Sequence, residues 1–336
     1  MSSIPGRSLN LRQVLAARTS TIWLATFALF LVSPLIAPGS LGSAPILSML
    51  PFAAVLAVVA AGQTLVVQQR GLDLSVPGML ALGAVLCTAL PQERGWALAP
   101  AVLVAVLAPG LVGALNGVLV TYLRVMPLVA TLGMNVILLG IVFSIANGTP
   151  SGATLALNQF ALDRTLGVPN TVLVAVVIMA VAGVVTQRSI VGRRLTAAGV
   201  SERATLALGV RVHLYQTLAY TFAGMSYGAG GVMLAGYTKT PPLFLGDSYL
   251  LPSVAAVVLG GTALSGGIAS VVASGIAALF LTQLGQLLRA LGWPDSRQLI
   301  AQSAVLLFVV LGRVLVPRIA SRLSDNRALT TTQGAA

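Results

Sequence analysis

The sequence holds few residues that could do chemistry. It has one histidine (His213), one cysteine (Cys87), one lysine (Lys239) and only 7 acidic residues, and charged side chains make up 8% of its 336 residues. Soluble domains carry roughly 25%, so a water-facing globule is excluded. One cysteine excludes an internal disulfide and leaves no pair for a metal site. One histidine leaves most hydrolytic chemistry without a base. No GxxxxGK[ST], HExxH or CxxC pattern occurs, so an enzyme is disfavoured, and neither a cofactor nor a metal is expected. Aromatic residues are also scarce, at 5%, and none interleaves with a basic run, so the net charge of +12 is no nucleic-acid signature.

What the chain has is apolar length. Hydrophobic residues make up 57% of it, in segments separated by short polar breaks. A helix needs about 20 apolar residues to cross a bilayer. The pattern predicts an all-α integral membrane protein of about ten spans, at 21–38, 46–67, 75–90, 97–122, 127–146, 170–187, 213–236, 250–264, 267–290 and 299–316. The third and eighth are short and read as broken or re-entrant. The first is too long for a signal-peptide core of about 7–15 residues and reads as an uncleaved span. Residues 1–20 then form a cytoplasmic N-terminal segment, 21–316 a single transmembrane domain, and 317–336 a disordered cytoplasmic tail.

Threading the spans alternately distributes the cations unequally. With the N-terminus inside, the inner side receives Arg7, Arg12, Arg18, Arg70, Arg124, the five arginines of 188–212, and Arg313, Arg318, Arg322 and Arg327. The outer side receives Arg94, Arg164, Lys239, Arg289 and Arg297. Lys and Arg resist translocation, so an even number of spans with both ends in the cytoplasm fits. Close helix packing is signalled by small-x-x-x-small pairs: Gly113 with Gly117, Gly224 with Gly228, and Gly140 with Ser144. A weak internal similarity relates AlaGlyGlnThr at 61–64 to AlaGlyGlyVal at 229–232, each followed by a Gly-Asp-Ser-type segment.

The basic loop 188–212 stands out. Ser201 is placed to cap a short helix, Gly209 to end it at a left-handed position, and Ala204 and Leu208, one turn apart, share a face. From the residues alone this is either a docking helix or a solvated loop that sets topology. Polar residues within spans are costly and need a partner or a hydrated cavity. Of these, Asn116, Thr131 and Asn135 read either as lining for a polar solute's path or as interhelical hydrogen-bond partners. Asp73 reads as an ion or proton carboxylate, or as an acceptor for the amides that open the third span, with Arg70 nearby.

Four stretches, in order, resemble the permease subunits of bacterial ABC importers of the ribose and xylose class, which share ancestry with branched-chain amino acid permeases. GlyLeuAspLeuSerVal at 71–76, with Gly71, Asp73 and Ser75, looks like that family's GIDLSVG-type segment. GlyAlaLeuAsnGlyValLeuVal at 113–120, followed by MetProLeuValAlaThrLeuGlyMet at 126–134, looks like its passage from fourth to fifth span. AlaValValLeuGlyGlyThrAlaLeuSerGlyGly at 256–267, with Gly260, Gly261, Gly266 and Gly267, is similar to its VVIGGTSLSGG segment. In the central loop Gly192, Arg193, Ala197, Gly199, Ala204, Gly209 and Val210 keep the family's spacing. Arg70 and Pro77 stand where glycine is common, and Ser201-Glu202 where Asn-Pro is common.

The resemblance implies a type II importer permease fold with two pseudo-repeated halves, in the bacterial inner membrane. It implies a second permease subunit, identical or paralogous, surrounded by lipid. A separate ABC ATPase would bind beneath and a periplasmic solute-binding protein above. The loop would couple to the ATPase through Gly192, Arg193, Gly199, Ser201, Ala204, Leu208 and Gly209, and Asn116, Thr131 and Asn135 would line the path. The solute implied is a monosaccharide, with branched-chain amino acids or nucleosides as alternatives. An ion-coupled secondary transporter using Asp73 is the competing class.

Overall fold

The computed structural model describes the backbone of residues 11–294, 296–305, 307, 308 and 311, with side chains from residue 20 onward. The expected N-terminal segment falls largely, the tail after 316 wholly, and the tenth span partly outside the described residues. Twelve α-helices and one two-stranded hairpin are defined: α1 (Leu11–Ile36), α2 (Ser43–Gln68), α3 (Val76–Arg94), α4 (Leu98–Thr121), α5 (Pro127–Ile145), α6 (Leu155–Leu162), β1 (Arg164–Thr165), β2 (Val168–Pro169), α7 (Asn170–Arg188), α8 (Ile190–Val200), α9 (Glu202–Ala207), α10 (Val212–Thr238), α11 (Asp247–Leu259) and α12 (Val271–Ala290). The chain divides at Leu287 into two compact units. Within the second, a turn at Gly292 precedes a helical stretch from residue 296, and Gln298 Nε2 donates to the Trp293 carbonyl at 2.9 Å.

Six helices among the described residues are long and apolar enough to cross a membrane: α2, α3, α4, α5, α7 and α12. At 27 residues α10 is long enough as well, about 40 Å, but its Tyr, Thr and Gly content lowers its hydropathy. It is the helix around which α2, α3 and α4 pack. Glycines let the backbones meet. A Cβ on Gly224 would lie 2.1 Å from the Pro109 carbonyl oxygen, and one on Gly113 would lie 2.2 Å from that of Tyr220. Both expected glycine pairs therefore serve the α4–α10 contact. The third does not: nothing lies within 4 Å of a Cβ on Gly140, so Gly140 and Ser144 are no packing seam within this chain.

Several expected boundaries shift. The third span runs to Arg94 and reaches 19 residues, because Pro91 is accommodated inside the helix and Gly95 ends it at φ 66. The eighth is shorter than expected. α11 has 13 residues, about 20 Å, and residues 260–270 after it are not helical. Its start is set by close approach, since a Cβ on Gly246 would meet the Pro77 oxygen at 2.3 Å. Between α5 and α7 lie two elements the apolar pattern does not reveal. One is α6, capped by Thr154; the other is the hairpin, which turns through Leu166 at φ 55 and Gly167 at φ 78. Positive φ at both turn residues matches the twist of a two-residue hairpin.

Alternate threading makes a geometric demand that the fold meets. Arg70 bonds to Gly199, Arg124 to Glu202, and Gln68 to Gly267, so the breaks after α2, α4, α7 and α11 share one end. At the other end Ser151 donates to Glu93 at 2.6 Å, the Ala153 amide to Lys239 at 2.6 Å, and Asn158 to Gly236 at 2.8 Å. The breaks after α3, α5 and α10 meet there.

Candidate functional site

The shared end is built from the C-terminus of α2. Gln68, Gln69 and Arg70 sit where apolar α2 stops, so their polar groups must find partners outside the helix. Gln68 Nε2 donates to Thr196 Oγ1 at 3.0 Å and to the Gly267 carbonyl at 3.2 Å, and the Gly267 amide returns a bond to the Gln68 carbonyl at 2.9 Å. Gln69 Nε2 donates to the Leu195 carbonyl at 3.0 Å. The contact has no room for side chains: a Cβ on Gly199 would lie 2.1 Å from the Gln68 oxygen and 2.7 Å from the Gly267 nitrogen. Gly266 and Gly267 adopt φ 85 and 80, which an L side chain adopts only with strain. Two of the four motifs singled out in the sequence, the central loop and the 256–267 stretch, thus meet at the end of α2, just before the first motif begins. Gly260 closes against Ser274, whose nitrogen is 2.6 Å from its Cβ position, and Gly261 turns at φ 93.

The fourth motif meets the first. In the turn between α2 and α3, Asp73 Oδ1 accepts from the Ser75 amide at 2.9 Å and from Ser75 Oγ at 2.5 Å. Asn116 Nδ2 donates to that hydroxyl at 3.0 Å. Thr131 Oγ1 accepts from the Leu74 amide at 3.0 Å, and Asn135 Oδ1 from the Gly78 amide at 2.8 Å. Asn116, Thr131, Asp73 and Ser75 are buried, whereas Asn135 is half-buried. Asn116, Thr131 and Asn135 are therefore brought together around the start of α3, each spending a polar group on it. Asp73 is an acceptor at the positive end of α3, although Ser75 occupies the cap position. Burial pushes its carboxyl up to about 6. Arg70 turns away from Asp73 toward α8.

An orphaned helix amide is costly, which makes the Asn135 contact testable. Asn135→Ala leaves the Gly78 amide without its acceptor and is expected to cost about 1–3 kcal/mol. A lowered thermal midpoint of the purified protein in detergent checks this.

The loop 188–212 forms two helices where the sequence reading places one. Ser189 caps α8 through the Gly192 amide at 3.1 Å. Gly192 packs so closely on the end of α7 that a Cβ would lie 2.1 Å from the Thr186 oxygen. Leu195 buries against Ala61, Leu65, Tyr215, Ala219 and Val271, while Arg194 donates to the Tyr215 hydroxyl at 2.5 Å. Arg193 reaches back to the Arg188 carbonyl at 3.3 Å. Ser201 then caps α9 by accepting from the Ala204 amide at 3.3 Å, and Gly209 ends it at φ 74. Thr205 is buried and anchors α9, leaving Ala204, Leu206 and Leu208 exposed, Leu208 at 80%. A rigid base carries a short helix with an apolar outer face.

Gln68, Gln69 and Thr196 were not singled out from the sequence, and Arg124 only for its charge. A pair of glutamines closing an apolar span, just before a motif, is the one signal that could have pointed to them.

The family model for the branched-chain amino acid transport system permease component matches residues 46–311. The ribose import permease protein RbsC of Escherichia coli (strain K12) is 34% identical over 261 residues, which is 76% of this chain and 81% of that protein. RbsC of Bacillus subtilis (strain 168) is 30% identical over 292 residues, covering 86% and 90%. The autoinducer 2 import system permease protein LsrD of E. coli (strain K12) is 29% identical over 303 residues, covering 87% and 92%. No solved structure matches. With most of the chain inside the match, the chain belongs to the branched-chain amino acid transport system permease family.

Proposed function

We propose that the chain is the membrane-spanning permease subunit of an ATP-binding cassette importer for a small hydrophilic solute, a monosaccharide or similar polyol. A separate ATPase subunit drives it and a periplasmic binding protein delivers the solute. Relatives named as ribose and autoinducer 2 import permeases support this reading. The observation that carries it is the shared end, where α9 exposes Leu206 and Leu208 on a base tied by α8 to α2 and to the 260–270 segment.

On this reading that end is cytoplasmic, loop 188–212 is the coupling element, and α9 enters a cleft of the ATPase. Gly192 and Gly199 set the approach of α8, Ser201 and Gly209 bound α9, and Arg193, Ala204 and Leu208 face the partner. Two permease subunits flank the path, in lipid, with both termini cytoplasmic and residues 21–316 as the membrane domain. The layout is a type II permease of about ten spans in two repeated halves. Asn116, Thr131 and Asn135 act on the path through the start of α3, which they hold. The subunit performs no bond chemistry and supplies two packings of similar energy that ATP binding and hydrolysis bias.

The discriminating experiment is uptake in vesicles bearing the complete complex. Uptake is expected to cease on ATP depletion and to survive an ionophore. The reverse result replaces this reading with ion-coupled transport through Asp73.

A further inference from the structure

We propose that Arg70 is a positioning residue for coupling: its guanidinium terminates α8 and thereby fixes where α9 is presented. The inference rests on the reading of α9 as the motor contact.

Arg70 adopts φ 64, a left-handed backbone that glycine takes freely and a long L side chain rarely takes. Such a conformation persists only where the surroundings enforce it. What faces it is the end of α8. Arg70 Nε donates to the Gly199 carbonyl at 3.1 Å and Nη2 to the Val200 carbonyl at 2.5 Å. Gly199 and Val200 are the last two residues of α8, whose carbonyls have no amide partner further along the helix. A guanidinium there satisfies two orphan acceptors and meets the negative end of the helix dipole.

The stem fits as well as the head. A Cβ on Gly266 would lie 2.5 Å from Arg70 Cγ, so the side chain runs through space that a missing methyl leaves open. One residue beyond the anchored Val200 carbonyl stands Ser201, the cap of α9, so no slack separates anchor from surface helix. On the other side of Arg70 the chain passes directly into Gly71, where a Cβ would meet the Tyr220 hydroxyl at 2.3 Å, and then into Asp73 and Ser75. Arg70 therefore joins the segment leading into α3 to the tip of the loop through one side chain held at both its stem and its head. The ion pair from Arg124 to Glu202 of α9 at 2.9 Å is between side chains 64% and 29% exposed and is correspondingly weak.

The test uses the full-length permease assembled with its ATPase and binding protein. Arg70→Gly and Arg70→Asn both suit a positive φ, and neither reaches α8. In both, amide exchange over residues 199–205 is expected to rise about tenfold as the anchored end opens, while the thermal midpoint does not fall, because backbone strain is relieved. ATP hydrolysis is expected to continue while uptake drops about tenfold, and Arg70→Lys, which keeps one charged donor, to recover part of it. Unchanged exchange at 199–205 overturns the proposal. Faster exchange with wild-type uptake overturns it too, unless Leu208→Asp measured in parallel also leaves uptake intact. In that case the motor-contact reading has failed and the inference falls with it.

Discussion

Leu208→Asp is expected to leave the chain inserted and folded while reducing ATP-driven uptake by about thirtyfold or more. The side chain is 80% exposed at the end of α9, so no intrachain packing is lost. Its backbone duties are kept, because the Leu208 amide still reaches the Ala204 carbonyl at 3.2 Å and Gly209 still supplies the left-handed turn. On the proposed reading, the whole penalty therefore falls on the cleft that α9 enters. An aspartate forced into an apolar cleft loses hydration without gaining a partner, and interface anchors of this kind are worth about 2–4 kcal/mol or more. At 1.4 kcal/mol per tenfold change, that is a loss of roughly thirty- to a thousandfold. ATP hydrolysis uncoupled from uptake in proteoliposomes is the signature. Wild-type uptake in the variant would remove the docking role from α9.

Gly224→Val is expected to be strongly damaging to the fold. The position of its Cβ lies 2.1 Å from the Pro109 carbonyl oxygen, and that neighbour is backbone, with no rotamer to yield. Helices α4 and α10 would have to separate. In lipid, where close packing rather than water exclusion holds helices together, that separation costs about 3 kcal/mol or more. Gly140→Val on α5 is the matched control. It too makes a β-branched side chain from a glycine in an apolar helix, but nothing lies within 4 Å of its Cβ. Thermal unfolding in detergent should separate the two clearly. Equal midpoints would mean that the α4–α10 contact is looser than described.

These two glycines also mark what sequence can and cannot disclose. Both belong to small-x-x-x-small pairs, and the pairing alone gives no means of telling a seam from an open face. Features set within a few residues were legible. Ser201 and Gly209 bound a short helix because capping and left-handed turns are local matters. The spans at α2, α4, α5 and α7 lie within a few residues of the expected ranges because apolar length decides them. The division of the loops between two ends was legible from arginine placement. Hidden were features decided by distant partners. Residues 190–200 are capped locally by Ser189, but the buried slot that Leu195 finds among α2, α10 and α12 is not announced by their own pattern. α11 begins where Gly246 meets Pro77, a contact 169 residues apart by number. Asn116, Thr131 and Asn135 were recognisable as polar groups needing partners. That all three would turn to the start of α3 depended on how three helices, α3, α4 and α5, come together.

The bond from Gln68 to the Gly267 carbonyl spans 199 residues of chain. A ribosome adding about 5–20 residues per second needs roughly 10–40 s to go from one to the other. Throughout that interval the glutamine at the foot of α2 lacks its final acceptor. The surface proposed to face the motor is therefore among the last parts of the molecule to mature, and nascent chains ending before residue 267 lack it however well their early helices have inserted.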